Sequence, residues 1–106
     1  MANIFTSDTF DSEVIGSSVP VLVDFYADWC MPCKMIAPLV AALEETHGDR
    51  LKVGKVNVDQ SKDIAAKYRV MSIPTIILFK GGEALERIVG AVSQSELDAA
   101  LGKVLS

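Results

Sequence analysis

Cysteine is scarce in this chain: Cys30 and Cys33 are the only two among 106 residues. Two are too few for the disulfide framework that holds small secreted domains together. A bond between them would close so short a loop that it would barely constrain the unfolded chain, which leaves little for a purely stabilising role. Other scarcities exclude further classes. No run approaches the ~18 uncharged apolar residues of a membrane span. The first residues, Met1 to Asp8, hold no basic stretch followed by a long apolar one, so they do not read as a secretory signal, and a soluble cytoplasmic protein is expected. There is no block of like charge. A net charge of −4 provides no basic footprint for a nucleic-acid partner. No repeat, low-complexity tract or linker-like run divides the sequence, so residues 1–106 are expected to form a single domain.

What is present is a strong alternation of apolar patterns. Half of the residues are hydrophobic, enough for a core that buries somewhat over ~60% of the unfolded chain's surface. The pattern predicts a short helix over Asp8–Ile15, with Phe10 and Val14 on one face and Gly16 as its stop. Val19 to Ala27 is a nearly continuous apolar run, the mark of a strand covered on both faces. From Cys33 to Thr46, Met35, Ile36, Leu39, Val40 and Leu43 recur at helical spacing, and Gly48 follows. Leu51–Asp59 predicts a second strand. Asp59 or Ser61 can cap a short helix carrying Ile64, Ala65 and Tyr68. Pro74–Lys80 and Glu83–Val89 predict a hairpin about Gly81-Gly82, both of which accept positive φ. Ser93 to Glu96 is a capping box, followed by a helix whose apolar face is Leu97, Ala100, Leu101 and Val104. A leading βαβ unit implies a parallel pair, and the hairpin is antiparallel. The expected class is α/β, a mixed central sheet with helices on both faces.

The two cysteines fall where a buried strand gives way to a helix, in Asp28-Trp29-Cys30-Met31-Pro32-Cys33-Lys34. An i, i+3 pair in a first helical turn lies on one face within disulfide reach. Cys30 stands at the helix N-terminus, where free N–H groups and the helix dipole favour an anion and lower a thiol pKa. Pro32 suits the first turn, where its missing N–H would lack a partner, and it stiffens the segment between the sulfurs. The chemistry that uses such a pair is thiol–disulfide exchange: Cys30 attacks a disulfide, and tethered Cys33 resolves the mixed disulfide. Two other readings compete. The spacing also fits half a zinc site, for which only His47, at the far end of the same helix, offers a further soft ligand. Free cysteines are also commonly inert core residues.

Asp24 interrupts the apolar run Val21 to Tyr26, and a carboxylate in a doubly covered strand should have a raised pKa. Lys55 interrupts the next strand in the same way, and adjacent parallel strands could bring the two together. Asp24 reads either as a buried acid that exchanges a proton with Cys33, directly or through water, or as a structural ion pair or a solvent-facing strand end. Pro74 opens a strand, where proline is tolerated, and its base rate favours a trans bond. Pro38 lies inside a helical pattern and should kink that helix.

Val23 to Lys34, Lys55 to Asp59, Ser72 to Thr75, Phe79 to Gly82, and Gly90 together resemble the thioredoxin family along essentially the whole chain. That resemblance implies the thioredoxin fold and a protein-disulfide reductase acting as an electron carrier. It implies Cys30 as nucleophile, Cys33 as resolving thiol, Asp24 as buried acid with Lys55 as its companion, and Pro74 as a cis-proline facing the disulfide. It further implies a flat apolar surface for partner proteins, formed by Trp29, Met31, Pro32, Met71, Ile73, Val89, Gly90 and Ala91, with the Ile73 backbone pairing with an extended substrate segment. The implied partners are disulfide-bearing proteins and a reductase that uses a flavin and NADPH. No nucleotide motif occurs here, so no cofactor is expected in this chain, nor a metal, and a monomer is expected. Two positions depart from the family pattern. Met31 stands where glycine is usual between the first cysteine and proline, and Tyr26 replaces a tryptophan. Met31 should shift the reduction potential and partner preference, which keeps open a thiol oxidase or isomerase, and a non-catalytic binding subunit is a third reading.

Overall fold

The computed structural model describes residues 3–105. Five strands form one mixed sheet: β1 (Asn3–Ile4), β2 (Val21–Tyr26), β3 (Lys52–Asn57), β4 (Thr75–Lys80) and β5 (Glu83–Val89), in the order β1-β3-β2-β4-β5. β3 runs parallel to both β1 and β2, while β2–β4 and β4–β5 are antiparallel. The helices are α1 (Met31–His47), α2 (Lys62–Lys67) and α3 (Gln94–Leu105), with a π-helical turn at Asp11–Ile15. This is the α/β architecture that the alternating patterns predict.

Strand alternation divides the core between two faces. Leu22, Val53, Ile76 and Leu78 point to one side and pack against Ile36, Val40 and Leu43 of α1 and Leu97, Leu101 and Val104 of α3. Val21, Val23, Phe25, Val56, Ile77 and Phe79 point to the other, against Phe5, Phe10, Val14 and Ile64. Gly54 marks the tightest point of that second layer: a Cβ there would lie 2.3 Å from the Phe5 ring.

Several boundaries differ from those predicted, each for a local polar reason. The first helical segment begins at Asp11, not Asp8, because Thr6 and Thr9 close their own turn: the Thr6 N–H donates to Thr9 Oγ1 at 2.9 Å, and the Thr6 carbonyl accepts from the amides of Thr9 and Phe10. β1 was not expected at all; two residues carry no readable periodicity. β2 starts at Val21, after Pro20, and β3 stops at Asn57, whose Oδ1 accepts the N–H groups of Asp59 and Gln60. Ser61 takes the N-cap position of α2, yet neither it nor Asp59 supplies a side-chain cap bond. Helix α1 starts two residues earlier than predicted and runs unbroken past Pro38. Met35, expected on its apolar face, is 71% exposed. The glycine hairpin forms as read, with φ of 61° at Gly81 and 82° at Gly82. The capping box closes in both directions, Glu96 N–H to Ser93 Oγ at 3.2 Å and Ser93 N–H to Glu96 Oε1 at 3.4 Å.

Candidate functional site

The site forms where β2 hands over to α1. The Cys30 N–H donates to the Ala27 carbonyl, turning the chain, and Cys30 itself is the N-cap of α1 with extended backbone, φ −89° and ψ 108°. Its Sγ accepts the N–H of Cys33 at 3.2 Å. A sulfur in that position satisfies one of the orphan donors of the first turn and faces the positive end of the helix dipole, an environment that stabilises a thiolate. Pro32 lies within the first two positions of the helix, where it removes no helical hydrogen bond. Cys30 and Cys33 are joined as a disulfide across a Cα separation of 5.3 Å.

Both sulfur-bearing residues are nearly enclosed, Cys30 only 3% exposed, and they pack with Ala27, Tyr26, Val58 and Ile73. The Ile73–Pro74 bond is cis, which corrects the trans reading that base rates favoured and agrees with what the resemblance implied. Pro74 is buried, and its carbonyl accepts the Gly90 N–H at 2.8 Å, joining the strand-opening loop to the end of β5. Around the disulfide, large apolar groups face water: Trp29 is 68% exposed and Met71 91%, with Met31 and Val89 also exposed. Pro32 and Ala91 are exposed, and Ile73 and Gly90 half-buried. Trp29 and Met71 are therefore not part of the packed core. Trp29 is fixed by one polar contact, Nε1–H to Asp59 Oδ2 at 2.9 Å. From the sequence Asp59 reads as the end of the second strand and as a possible helix cap. The acidic residue that ends Lys55-Val56-Asn57-Val58-Asp59 was the available signal, but nothing in the sequence linked it to Trp29.

Asp24 is paired in register with Lys55 of β3. Residues 22, 24 and 26 share a face, so Asp24 points to the side covered by α1, whose first turn holds Cys33. It is 1% exposed, and neither carboxylate oxygen has a hydrogen-bond partner among the described residues. Loss of solvent pushes its pKa up to about 6, and the positive charge of Lys55 offsets only part of that rise. The Lys55 ammonium sits 4.2 Å from the centroid of the Tyr26 ring, a cation–π contact, and makes no hydrogen bond to the carboxylate. The structural ion pair considered for Asp24 and Lys55 is thus not formed, and the solvent-facing reading fails. His47 stays at the far end of α1. Among the described residues no three His, Cys, Asp or Glu side chains gather as a metal site.

The Thioredoxin family model matches residues 2–103. The chain belongs to the thioredoxin family. It is 46% identical over 101 residues to the thioredoxin of Porphyra purpurea, covering 95% of this chain and 94% of that one. It is also 46% identical to thioredoxin 1 of Nostoc sp. over 100 residues, 94% of each chain. A third relative, the chloroplastic M-type thioredoxin of Chlamydomonas reinhardtii, is 46% identical over 105 residues, 99% of this chain and 75% of its own. The chain is accordingly a thioredoxin-type thiol–disulfide oxidoreductase, a disulfide reductase in electron transport whose redox-active group is the Cys30–Cys33 pair. Thioredoxins work through this disulfide and carry no bound cofactor. Family membership implies two kinds of partner, a reductase and proteins bearing disulfides. No described helix is long and apolar enough to cross a membrane.

Proposed function

We propose that this thioredoxin, acting as one domain over residues 1–106, reduces protein disulfides with Cys30 as nucleophile, Cys33 as resolving thiol and Asp24 as the proton acceptor for Cys33. The observation that carries this division of labour is the N-cap position of Cys30, whose sulfur receives the Cys33 N–H. In the reduced protein, the Cys30 thiolate attacks one sulfur of the substrate disulfide and expels the other as a thiolate, which takes up a proton. The Cys33 thiol then passes its proton to Asp24, directly or through water, and attacks Cys30. The second substrate sulfur leaves as a thiolate and is protonated by Asp24 or by solvent, so two electrons have moved from the Cys30–Cys33 dithiol to the substrate. The tether makes this second step intramolecular, which is why it outruns release of the intermediate.

Asp24 suits the task because an unpartnered buried carboxylate with a pKa near 6 can take and return a proton near neutral pH. Lys55 tempers that rise and keeps the acid within the working range. Trp29, Met31, Pro32, Met71, Ile73, Val89, Gly90 and Ala91 form the docking surface, and Pro74 brings the Ile73 backbone alongside the substrate segment. Exposure of the large apolar members, with only Trp29 tied down, supports this reading. The oxidised pair is recharged by a flavin- and NADPH-dependent reductase, the protein works as a cytoplasmic monomer, and nucleic acid is not a partner.

Cys-Met-Pro-Cys in place of Cys-Gly-Pro-Cys places an exposed thioether directly after the nucleophile. We expect it to shift the potential of the couple. A potential above that of glutathione would favour the oxidase or isomerase reading. The test of the roles is trapping with an insulin substrate: Cys33→Ser should accumulate a mixed disulfide through Cys30, and Cys30→Ser should accumulate none. Equal trapping by both variants would overturn the assignment. Retained activity in the double serine variant would leave only a binding subunit.

A further inference from the structure

Arg69, two residues past the end of α2, has φ of 54°, the only non-glycine described residue in the left-handed region. An L side chain enters that region at a cost, and such residues persist where their surroundings hold them. The surroundings here include Arg87 of β5. Its guanidinium donates through Nη1 to the Arg69 carbonyl at 3.4 Å and through Nη2 to the Tyr68 carbonyl. The planar fork spans two successive carbonyls at the end of a helix, where a cation is also favoured by the dipole.

The two arginines sit at the roots of the two segments that flank the disulfide. Two residues after Arg69 comes Met71, and two further Ile73, which packs on the Cys30–Cys33 cluster. Two residues after Arg87 comes Val89, followed by Gly90 and Ala91. Nearer the sulfurs the segments are joined by Gly90 N–H to the Pro74 carbonyl and by the pairing of Thr75 with Val89. Thr75 Oγ1–H to the Ser72 carbonyl, at 2.7 Å, fixes the middle of the loop. The outer end is held by the arginine fork.

We propose that Arg87 is a positioning residue for protein substrates: by clamping the Tyr68–Arg69 turn to β5 it sets the spacing between the Met71–Ile73 and Val89–Ala91 lips. The proposal rests on the docking reading given above. Arg87 does not touch the sulfurs, so it acts on how a folded or extended polypeptide seats and not on exchange itself. A small disulfide needs neither lip.

The test compares the full-length wild type, Arg87→Met, Arg87→Gln and Met71→Ser, each first checked by thermal unfolding. Each is assayed for reduction of insulin and of 5,5′-dithiobis(2-nitrobenzoate), with backbone amide exchange followed at residues 70–73. Loss of the fork should raise the KM for insulin about tenfold with kcat within about twofold of wild type. The small-disulfide rate should not change, and amides 70–73 should exchange faster while those of α1 keep their protection. The proposal is overturned if insulin KM stays at the wild-type value in both Arg87 variants, or if both substrates lose rate equally. Met71→Ser separates the two levels. If it raises insulin KM while the Arg87 variants do not, only the role of Arg87 falls. If neither change has an effect, the docking reading falls with it.

Discussion

The two faces of the sheet bury different things. Against α2 and the Asp11–Ile15 turn lies a largely apolar layer in which Phe10, Tyr68 and Phe79 meet with ring centroids 5.2 to 5.7 Å apart. Phe5 adds an edge contact to Phe10, and the buried hydroxyl of Thr75 on this face is satisfied by the Ser72 carbonyl. Against α1 lies a layer that is equally closed to water, but at residue 24 it holds a carboxylate with no hydrogen-bond partner among the described residues. The first face does nothing but stabilise. The second gives up stability at one position, on the face covered by the helix whose first turn holds Cys33. Natural proteins break the rule against orphaned buried charge mainly where chemistry requires it.

That contrast predicts opposite responses to substitution. On the apolar face, Phe79→Ala should cost about 3–5 kcal/mol, because it removes a fully buried ring and leaves a cavity. Denaturant unfolding would check this, and reduction of a small disulfide by the folded fraction should be unchanged. Gly54→Ala should follow at about 1–3 kcal/mol, since the new methyl meets the Phe5 ring and the Asn3 backbone.

On the other face, Asp24→Asn should stabilise the protein while slowing it. The folded-state pKa of about 6 exceeds the ordinary 3.8, so ionising Asp24 opposes folding by about 3 kcal/mol above pH 6, at 1.36 kcal/mol per unit. The sign is fixed by proton binding. Between about pH 4 and 6 the native state holds the proton more tightly than the unfolded chain, so the wild type gains stability as pH falls through that window. The advantage of Asp24→Asn should therefore be full at pH 7 to 8 and vanish below pH 4. Resolution of the mixed disulfide should slow about a hundredfold at pH 7 and lose its inflection near pH 6. A variant that slowed without gaining stability would break the contrast between the faces.

The smallest effects sharpen the picture. Arg69→Gly relieves a left-handed side chain and should stabilise by up to about 1 kcal/mol, read by chemical denaturation. Tyr26→Leu removes the ring under Lys55 and should cost about 0.5–1 kcal/mol in cation–π contact. It should also leave the ammonium free to approach Asp24 and so lower the pKa of that carboxylate.

Most of the fold was legible because its signals are periodic. The apolar runs at Val21–Tyr26 and Thr75–Lys80, the glycine pair at the hairpin and the capping box at Ser93 each state their conformation locally. What escaped depends on residues far apart in sequence. β1 exists only because β3 offers it an edge, and Asp59 serves Trp29 across 30 positions. Met35 follows the helical period but falls where no partner covers α1. At the site, the cysteines and Asp24 were legible as breaks in pattern: two thiols at a strand-to-helix junction, and one acid in an apolar run. Whether Lys55 would pair with that acid was not, because the choice between a carboxylate and the face of an aromatic ring is settled by side-chain geometry.

The most direct measurement is a carbon-13 titration of the Asp24 carboxyl group by NMR in the oxidised protein, with Asp24→Asn as the assignment control. A midpoint near pH 6 would support a buried acid on the α1 face, only partly offset by Lys55, that can exchange protons near neutral pH. A midpoint near pH 4 would mean that the carboxylate is solvated or paired, and would contradict both its proposed role as proton acceptor and the proposed difference between the two faces.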